Sequence, residues 1–189
     1  TVYGVDIYGK KSLAELIKRL AGIGGLSWIR ILYCYPEEID DSLIEVIKNE
    51  PKVCHYLDMP IQHASDNILK RMGRRTTKQE LKDVIARLRE YISDIALRTT
   101  LITGFPGETQ EEHEEMLDFV DEMEFDRLGV FTYSAEEDTP AAAMPGQIDE
   151  GVKEARRDAL MELQQAVSLD KSREMVGRVI ECVIDGKIE

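Results

Sequence analysis

Apolar residues recur along this chain in two rhythms. Continuous runs at Trp28 to Cys34, His55 to Met59, Ile95 to Thr103 and Leu128 to Tyr133 read as strands. Between them apolar positions return every third or fourth residue, the spacing of an amphipathic helix. Leu13, Leu16, Ile17 and Leu20 form one stripe, and Leu43, Ile44, Val46 and Ile47 line a helix over 41–49. Ile68, Leu69 and Met72 mark a short helix, Leu81, Val84, Ile85 and Leu88 a longer one, and Met116, Leu117, Val120 and Met123 another. A long polar helix follows over 150–175, closed by Gly177, and Arg178 to Ile184 reads as one more strand.

Local chemistry punctuates these elements. Ser12 with Glu15, Thr77 with Glu80 and Thr109 with Glu112 have the spacing of capping boxes. In such a box the hydroxyl accepts from one free amide and the carboxylate from another. Ser65 is placed to cap the short helix that Gly73 ends, and Gly22, Gly24 and Gly25 stop the first. Strands alternating with helices predict an α/β fold, a parallel sheet with helices outside. Four strands cannot close an ordinary eight-stranded barrel, which takes about 250 residues. The alternatives are a small open sheet or part of a larger barrel. Either places a ligand beyond the carboxyl ends of the strands.

Composition narrows the class. The 189 residues, 43% hydrophobic and 32% charged, suit one globular domain with the beginning of a second. No apolar run reaches the roughly 18 residues of a membrane span and the start is no signal peptide, so a soluble cytoplasmic protein is expected. The net charge of −13 repels nucleic-acid phosphates. It either attracts a basic partner or simply keeps the domain soluble. The three cysteines, Cys34, Cys54 and Cys182, form no CxxC or CxxxCxxC, so no metal ligand is assigned. Cys34 and Cys54 lie in apolar runs and read as buried structural thiols.

The strand ends carry more polar residues, Gly and Pro than turns require. Gly104 and Gly107 would let backbone approach a ligand, or would only make a tight strand-to-helix turn. Gln62 has no structural excuse, and its amide could read a hydroxyl or a ring nitrogen. His63 is a base, a ligand or a merely hydrogen-bonded ring, and Ser65 reads as a cap. Arg98 sits in an otherwise apolar strand, so its guanidinium must meet a carboxylate of the protein or of a ligand.

These strand-end residues resemble the radical-SAM methylthiotransferases. Arg98-Thr99-Thr100 followed by Gly104-Phe105-Pro106-Gly107-Glu108-Thr109 is similar to their fifth-strand segment. Met59-Pro60-Ile61-Gln62-His63-Ala64-Ser65-Asp66 with Met72-Gly73-Arg74 resembles their fourth-strand loop. Tyr133-Ser134 with Asp138-Thr139-Pro140-Ala141 resembles the segment after the sixth strand, and Thr1-Val2-Tyr3-Gly4 the end of the loop after the second. The Gln-His-Ala-Ser loop looks like the RimO branch, which modifies ribosomal protein S12. The tRNA-modifying MiaB branch usually carries Gln-Ser-Gly-Ser there. The acidic charge leans the same way.

The resemblance implies a partial TIM-like (βα)6 barrel of which the last four strands are present. It divides the chain into an incomplete radical-SAM core over 1–176 and the beginning of a C-terminal TRAM β-domain over 177–189. The first two strands and the cysteine loop would lie upstream of Thr1, so the chain alone should be inactive. It further implies S-adenosylmethionine and two 4Fe–4S clusters, with no cluster ligand in this chain. In such enzymes a 5′-deoxyadenosyl radical abstracts hydrogen, and RimO leaves a methylthio group on the β-carbon of an S12 aspartate. No general base is needed, and no catalytic residue is assigned. Carried over by position, Gln62 and Ser65 face the cofactor from the fourth strand, and Arg98, Thr100 and Gly104 from the fifth. Phe131 and Tyr133 flank the adenine or the substrate opening. The implied partner is S12 in the small ribosomal subunit, with no membrane, no direct nucleic-acid binding and a monomer at full length. The competing readings are MiaB-like methylthiolation of tRNA adenosine and a docking fragment without chemistry.

Overall fold

The computed structural model describes residues 2–183 and Gly186. Thr1 and Ile184, the ends of two expected segments, lie outside the described residues. The chain runs α1 (Val5–Tyr8), α2 (Leu13–Ala21), β1 (Ile29–Ile31), α3 (Asp41–Asn49), β2 (Val53–Asp58), α4 (Asp66–Arg71), α5 (Lys78–Tyr91), β3 (Ala96–Thr103), α6 (Gln110–Met123), β4 (Arg127–Thr132) and α7 (Glu150–Glu174). Short 3₁₀ turns at Pro36–Glu38 and Pro140–Ala143 complete it.

Two of the three expected capping boxes form. Thr77 accepts from the Glu80 amide and Glu80 from the Thr77 amide, and Thr109 and Glu112 do the same at α6. The third does not. The Ser12 hydroxyl donates to the Lys10 carbonyl instead, and Glu15 accepts from Lys10 Nζ at 2.6 Å. Ser65 sits at the N-cap of α4, but its hydroxyl donates to Glu112 Oε1 at 3.1 Å. The helix over 41–49 appears with its four apolar residues buried. The run Trp28 to Cys34 gives a strand of only three residues. Tyr33 adopts a φ of 58° there, and the Cys34 amide rejoins β2 by donating to the Asp58 carbonyl at 2.8 Å. The strand expected from Arg178 to Ile184 does not form over its described residues. Residues 178–183 are exposed and carry no regular structure, since no neighbouring strand among the described residues completes their hydrogen bonds.

All strand pairs are parallel, in the order β1-β2-β3-β4. Strictly sequential order decides between the two alternatives left by the sequence. A doubly wound sheet reverses its order at a switch point, whereas a barrel adds each strand beside the last. Uniformly right-handed crossovers then set the helices on one face. That face holds the core, where Leu57, Leu97, Leu101 and Val130 meet Leu81, Ile85, Met116, Phe119 and Leu160. On β3 burial alternates strictly, with Leu97, Thr99, Leu101 and Thr103 buried and Arg98, Thr100 and Ile102 half-exposed on the other face.

The sheet ends at β1, whose flanks expose Trp28, Leu32 and Tyr33. An unpaired edge with exposed apolar residues is a template for pairing with another chain. The isolated 189-residue chain is therefore expected to self-associate. Light scattering should give a mass above one chain, and a monodisperse monomer would contradict this.

Candidate functional site

Over the carboxyl-terminal halves of β3 and β4 and the loops that follow β2, β3 and β4 lies a cleft of about 750 Å³. Gln62, Thr100, Ile102, Phe105, Phe131, Tyr133 and Met144 line it. The register explains the assembly. Thr100 pairs with Gly129 and Ile102 with Phe131, so these residues share the face away from the helices. Gln62 joins from the loop after β2, at a φ of 75°: its amide donates to the Thr100 carbonyl and its carbonyl accepts from the Ile102 amide. Tyr133 meets Phe105 edge-to-face at a centroid distance of 5.3 Å, and with Ile68 they form a small apolar cluster beneath the cleft.

Of the seven expected site residues, the structure brings Gln62, Thr100, Phe131 and Tyr133 into this cleft. Arg98 shares their sheet face, but its guanidinium donates to Asp58 Oδ1 at 2.9 Å. The carboxylate it was expected to meet thus belongs to the protein. Asp58 is buried while the Arg98 side chain is 36% exposed, so the pair retains one free side. Ser65 is buried and bonded to Glu112. Gly104 does not line the cleft. It has a φ of +73°, and a Cβ there would stand 2.3 Å from Lys153 Cγ. At Gly107, φ +77°, a Cβ would stand 2.3 Å from an Arg71 guanidinium nitrogen. Both glycines make room for side chains of the protein rather than for a ligand.

Sequence reasoning missed what holds the strand ends together. Glu108 is buried and accepts from Arg156 at 2.8 Å, from the Gly104 amide at 2.8 Å and from His63 Nε2 at 3.3 Å. The Ser65 amide donates to His63 Nδ1 at 2.9 Å, which leaves Nε2 as the ring's donor. One carboxylate thus ties the loop after β2, the loop after β3 and α7. Burial pushes the Glu108 carboxyl up, but the His63 hydrogen bond, the Arg156 charge and the Gly104 amide outweigh it and hold it below its ordinary value. Lys153, also buried, donates to the Tyr133 carbonyl at 3.0 Å and fixes the end of β4. Pattern reading saw α7 only as a polar helix. The buried polar residues Lys153, Arg156 and Gln164 on one face were the available signal.

An adenosyl group fits this cleft. It offers aromatic and aliphatic walls with a few polar groups, Gln62, Thr100 and Ser134, converging on it. An iron–sulfur cluster does not fit the described residues. No group of three His, Cys, Asp or Glu among them could hold a metal ion. Burial pushes the Cys34 thiol up to about 11, Cys54 is half-buried and Cys182 is exposed elsewhere. No helix among the described residues is long and apolar enough to cross a membrane.

Residues 1–120 match the Radical SAM superfamily. The whole chain is 62% identical to the ribosomal protein uS12 methylthiotransferase RimO of Lachnoclostridium phytofermentans over 188 residues, covering 43% of that protein. It is 56% identical to the RimO of Geobacter sulfurreducens over 189 residues, covering all of this chain and 42% of that one. The chain thus spans less than half the length of these curated relatives. Among solved structures, archaeal Elp3 of Methanocaldococcus infernus matches at a TM-score of 0.55 and 14% identity, over 74% of this chain and 33% of that one. The radical S-adenosylmethionine methyltransferase TsrM of Kitasatospora setae, with cobalamin and a 4Fe–4S cluster bound, matches at 0.53 and 19%, over 70% and 26%. At such identities these two likenesses concern the fold.

Proposed function

Since this chain belongs to the Radical SAM superfamily, we propose that it is the cofactor-cleft portion of a RimO-type enzyme that methylthiolates ribosomal protein S12. Full-chain likeness to RimO proteins from two distant bacteria carries the reading. The cleft at the strand ends agrees with it. S-adenosylmethionine and an iron–sulfur centre supply, when bound, the radical that removes hydrogen from an unactivated carbon. The residues of this chain bind and orient. Phe131 and Ile102 give an apolar wall to an adenine ring, and the Gln62 amide and Thr100 hydroxyl offer polar partners to the nucleoside. Aromatic and aliphatic walls also exclude water, which guards a reactive carbon from side reactions. Arg98, Ser65, Gly104 and Tyr133 position this wall: Arg98 by holding Asp58 on the same sheet face, Ser65 and Gly104 through the Glu112 and Glu108 contacts, and Tyr133 through Phe105 and Lys153.

The cluster ligands belong to parts of the protein outside these residues, with two 4Fe–4S clusters in the complete enzyme. Residues 1–176 are the radical-SAM core and 177–189 lead into a TRAM domain. The partner is S12 on the small ribosomal subunit, with no direct contact to nucleic acid. Mass spectrometry of S12 and of tRNA from cells with and without the complete gene tests the reading. A methylthio group on an S12 aspartate that disappears with the gene is expected. Loss of methylthioadenosine from tRNA with S12 unchanged would overturn it.

Arg98→Ala in the complete enzyme is expected to weaken S-adenosylmethionine binding by about tenfold, because the sheet face beside the cleft loses the Asp58 tether. Equilibrium binding checks this, and unchanged affinity would refute the positioning role.

A further inference from the structure

Two arginines at the cleft have no carboxylate partner among the described residues. Arg71 and Arg74 both line it and are half-buried, in a chain whose acidic residues outnumber its basic ones by 37 to 24. Among the described residues neither guanidinium makes an ion pair. Glu136, the carboxylate lining the same cleft, accepts from the Ser134 hydroxyl instead. Neither arginine is a loose surface side chain. Arg71 occupies the space where Gly107 lacks a side chain, and its guanidinium lies 6.0 Å from the Phe105 ring centroid. Arg74 lies 5.4 Å from the centroid of Tyr35. Aromatic faces hold both groups without consuming their hydrogen-bond donors.

We propose that Arg71 and Arg74 form a carboxylate-binding element at the rim of the cleft. A guanidinium presents a planar fork that matches a carboxylate, and in a half-buried setting such a bond is strong. The inference rests on the cleft's proposed role, which brings two carboxylates to this place: that of S-adenosylmethionine and that of the acceptor aspartate. The pair holds one of them and so sets the orientation of the molecule that carries it. These are positioning residues, and they take no part in bond breaking.

The test uses the complete, cluster-reconstituted enzyme with Arg71→Gln, Arg71→Lys and Arg74→Gln. Two readouts are taken: equilibrium binding of S-adenosylmethionine, and KM for an S12 peptide carrying aspartate against the same peptide carrying asparagine. About tenfold weaker S-adenosylmethionine binding assigns the pair to the cofactor carboxylate. An aspartate-peptide KM about tenfold higher, with preference over asparagine lost, assigns it to the acceptor. Either outcome supports the proposal, and Arg71→Lys should fall between wild type and Arg71→Gln because it keeps charge without the fork. Both readouts unchanged in Arg74→Gln and in a folded Arg71 variant overturn it. A wild-type enzyme that leaves S12 unmodified sinks the functional reading instead, so the two failures are distinguishable.

Discussion

Glu108→Gln is expected to lower the unfolding free energy by about 3–5 kcal/mol, because it leaves the buried Arg156 guanidinium without its counter-charge. The glutamine has nearly the same shape, so the loss reports the missing charge and the acceptor oxygen that its NH2 replaces rather than packing. Arg156→Met should cost a similar amount, leaving a buried carboxylate held by His63, the Thr103 hydroxyl and backbone amides but by no arginine. The double variant should cost less than the sum of the two, since each single change strands the other partner. Urea unfolding of the complete protein measures all three. Costs below about 1 kcal/mol for both single variants would show that the cluster is not what joins the strand-end loops.

The same carboxylate fixes a pH dependence. Its folded value lies below the ordinary 4.5, so it contributes stability that is fully present above that value. This contribution is lost as pH falls through the folded value, when protonation removes the partner of Arg156. Wild type should therefore lose stability more steeply below about pH 4.5 than Glu108→Gln does.

Thr100→Trp in the complete enzyme is expected to lower S-adenosylmethionine affinity by about 100-fold or more while the protein still folds. Thr100 lies mid-strand on the face turned from the core, opposite Gly129, and opens into the cleft. An indole there fills the space proposed for the nucleoside, and tryptophan is well tolerated in a strand. Thr99→Trp, one residue away, would face the core instead and should unfold the protein. Full affinity in a folded Thr100→Trp enzyme would place the nucleoside elsewhere.

What could be read from the sequence was local or periodic. Thr77 with Glu80 and Thr109 with Glu112 are three positions apart, and both boxes form as expected. Ser12 with Glu15 has the same spacing but fails, because Lys10 takes both partners. Spacing cannot reveal such competition. Leu43 to Ile47 were legible as a core stripe because helical period alone decides their burial. Arg98 announced itself as a charge in an apolar strand, yet its partner Asp58 lies on the neighbouring strand, 40 positions away. The Glu108–Arg156 pair spans 48 positions and gave no local sign. Gly104 and Gly107 were recognised as places of close approach, but what approaches comes from α7 and α4. Side chains that meet across long separations depend on packing, and pattern carries little information about it. Gln62 stood out by its chemistry and resemblance supplied Thr100, Phe131 and Tyr133, and the fold gathers the four in one cleft.

A crystal structure of the complete enzyme with S-adenosylmethionine bound would test the central claim most directly. The adenosyl group should lie against Phe131 and Ile102, within hydrogen-bonding reach of Gln62 or Thr100. An adenosyl group seated away from these residues, with the cleft beyond β3 and β4 left to solvent, would contradict the account.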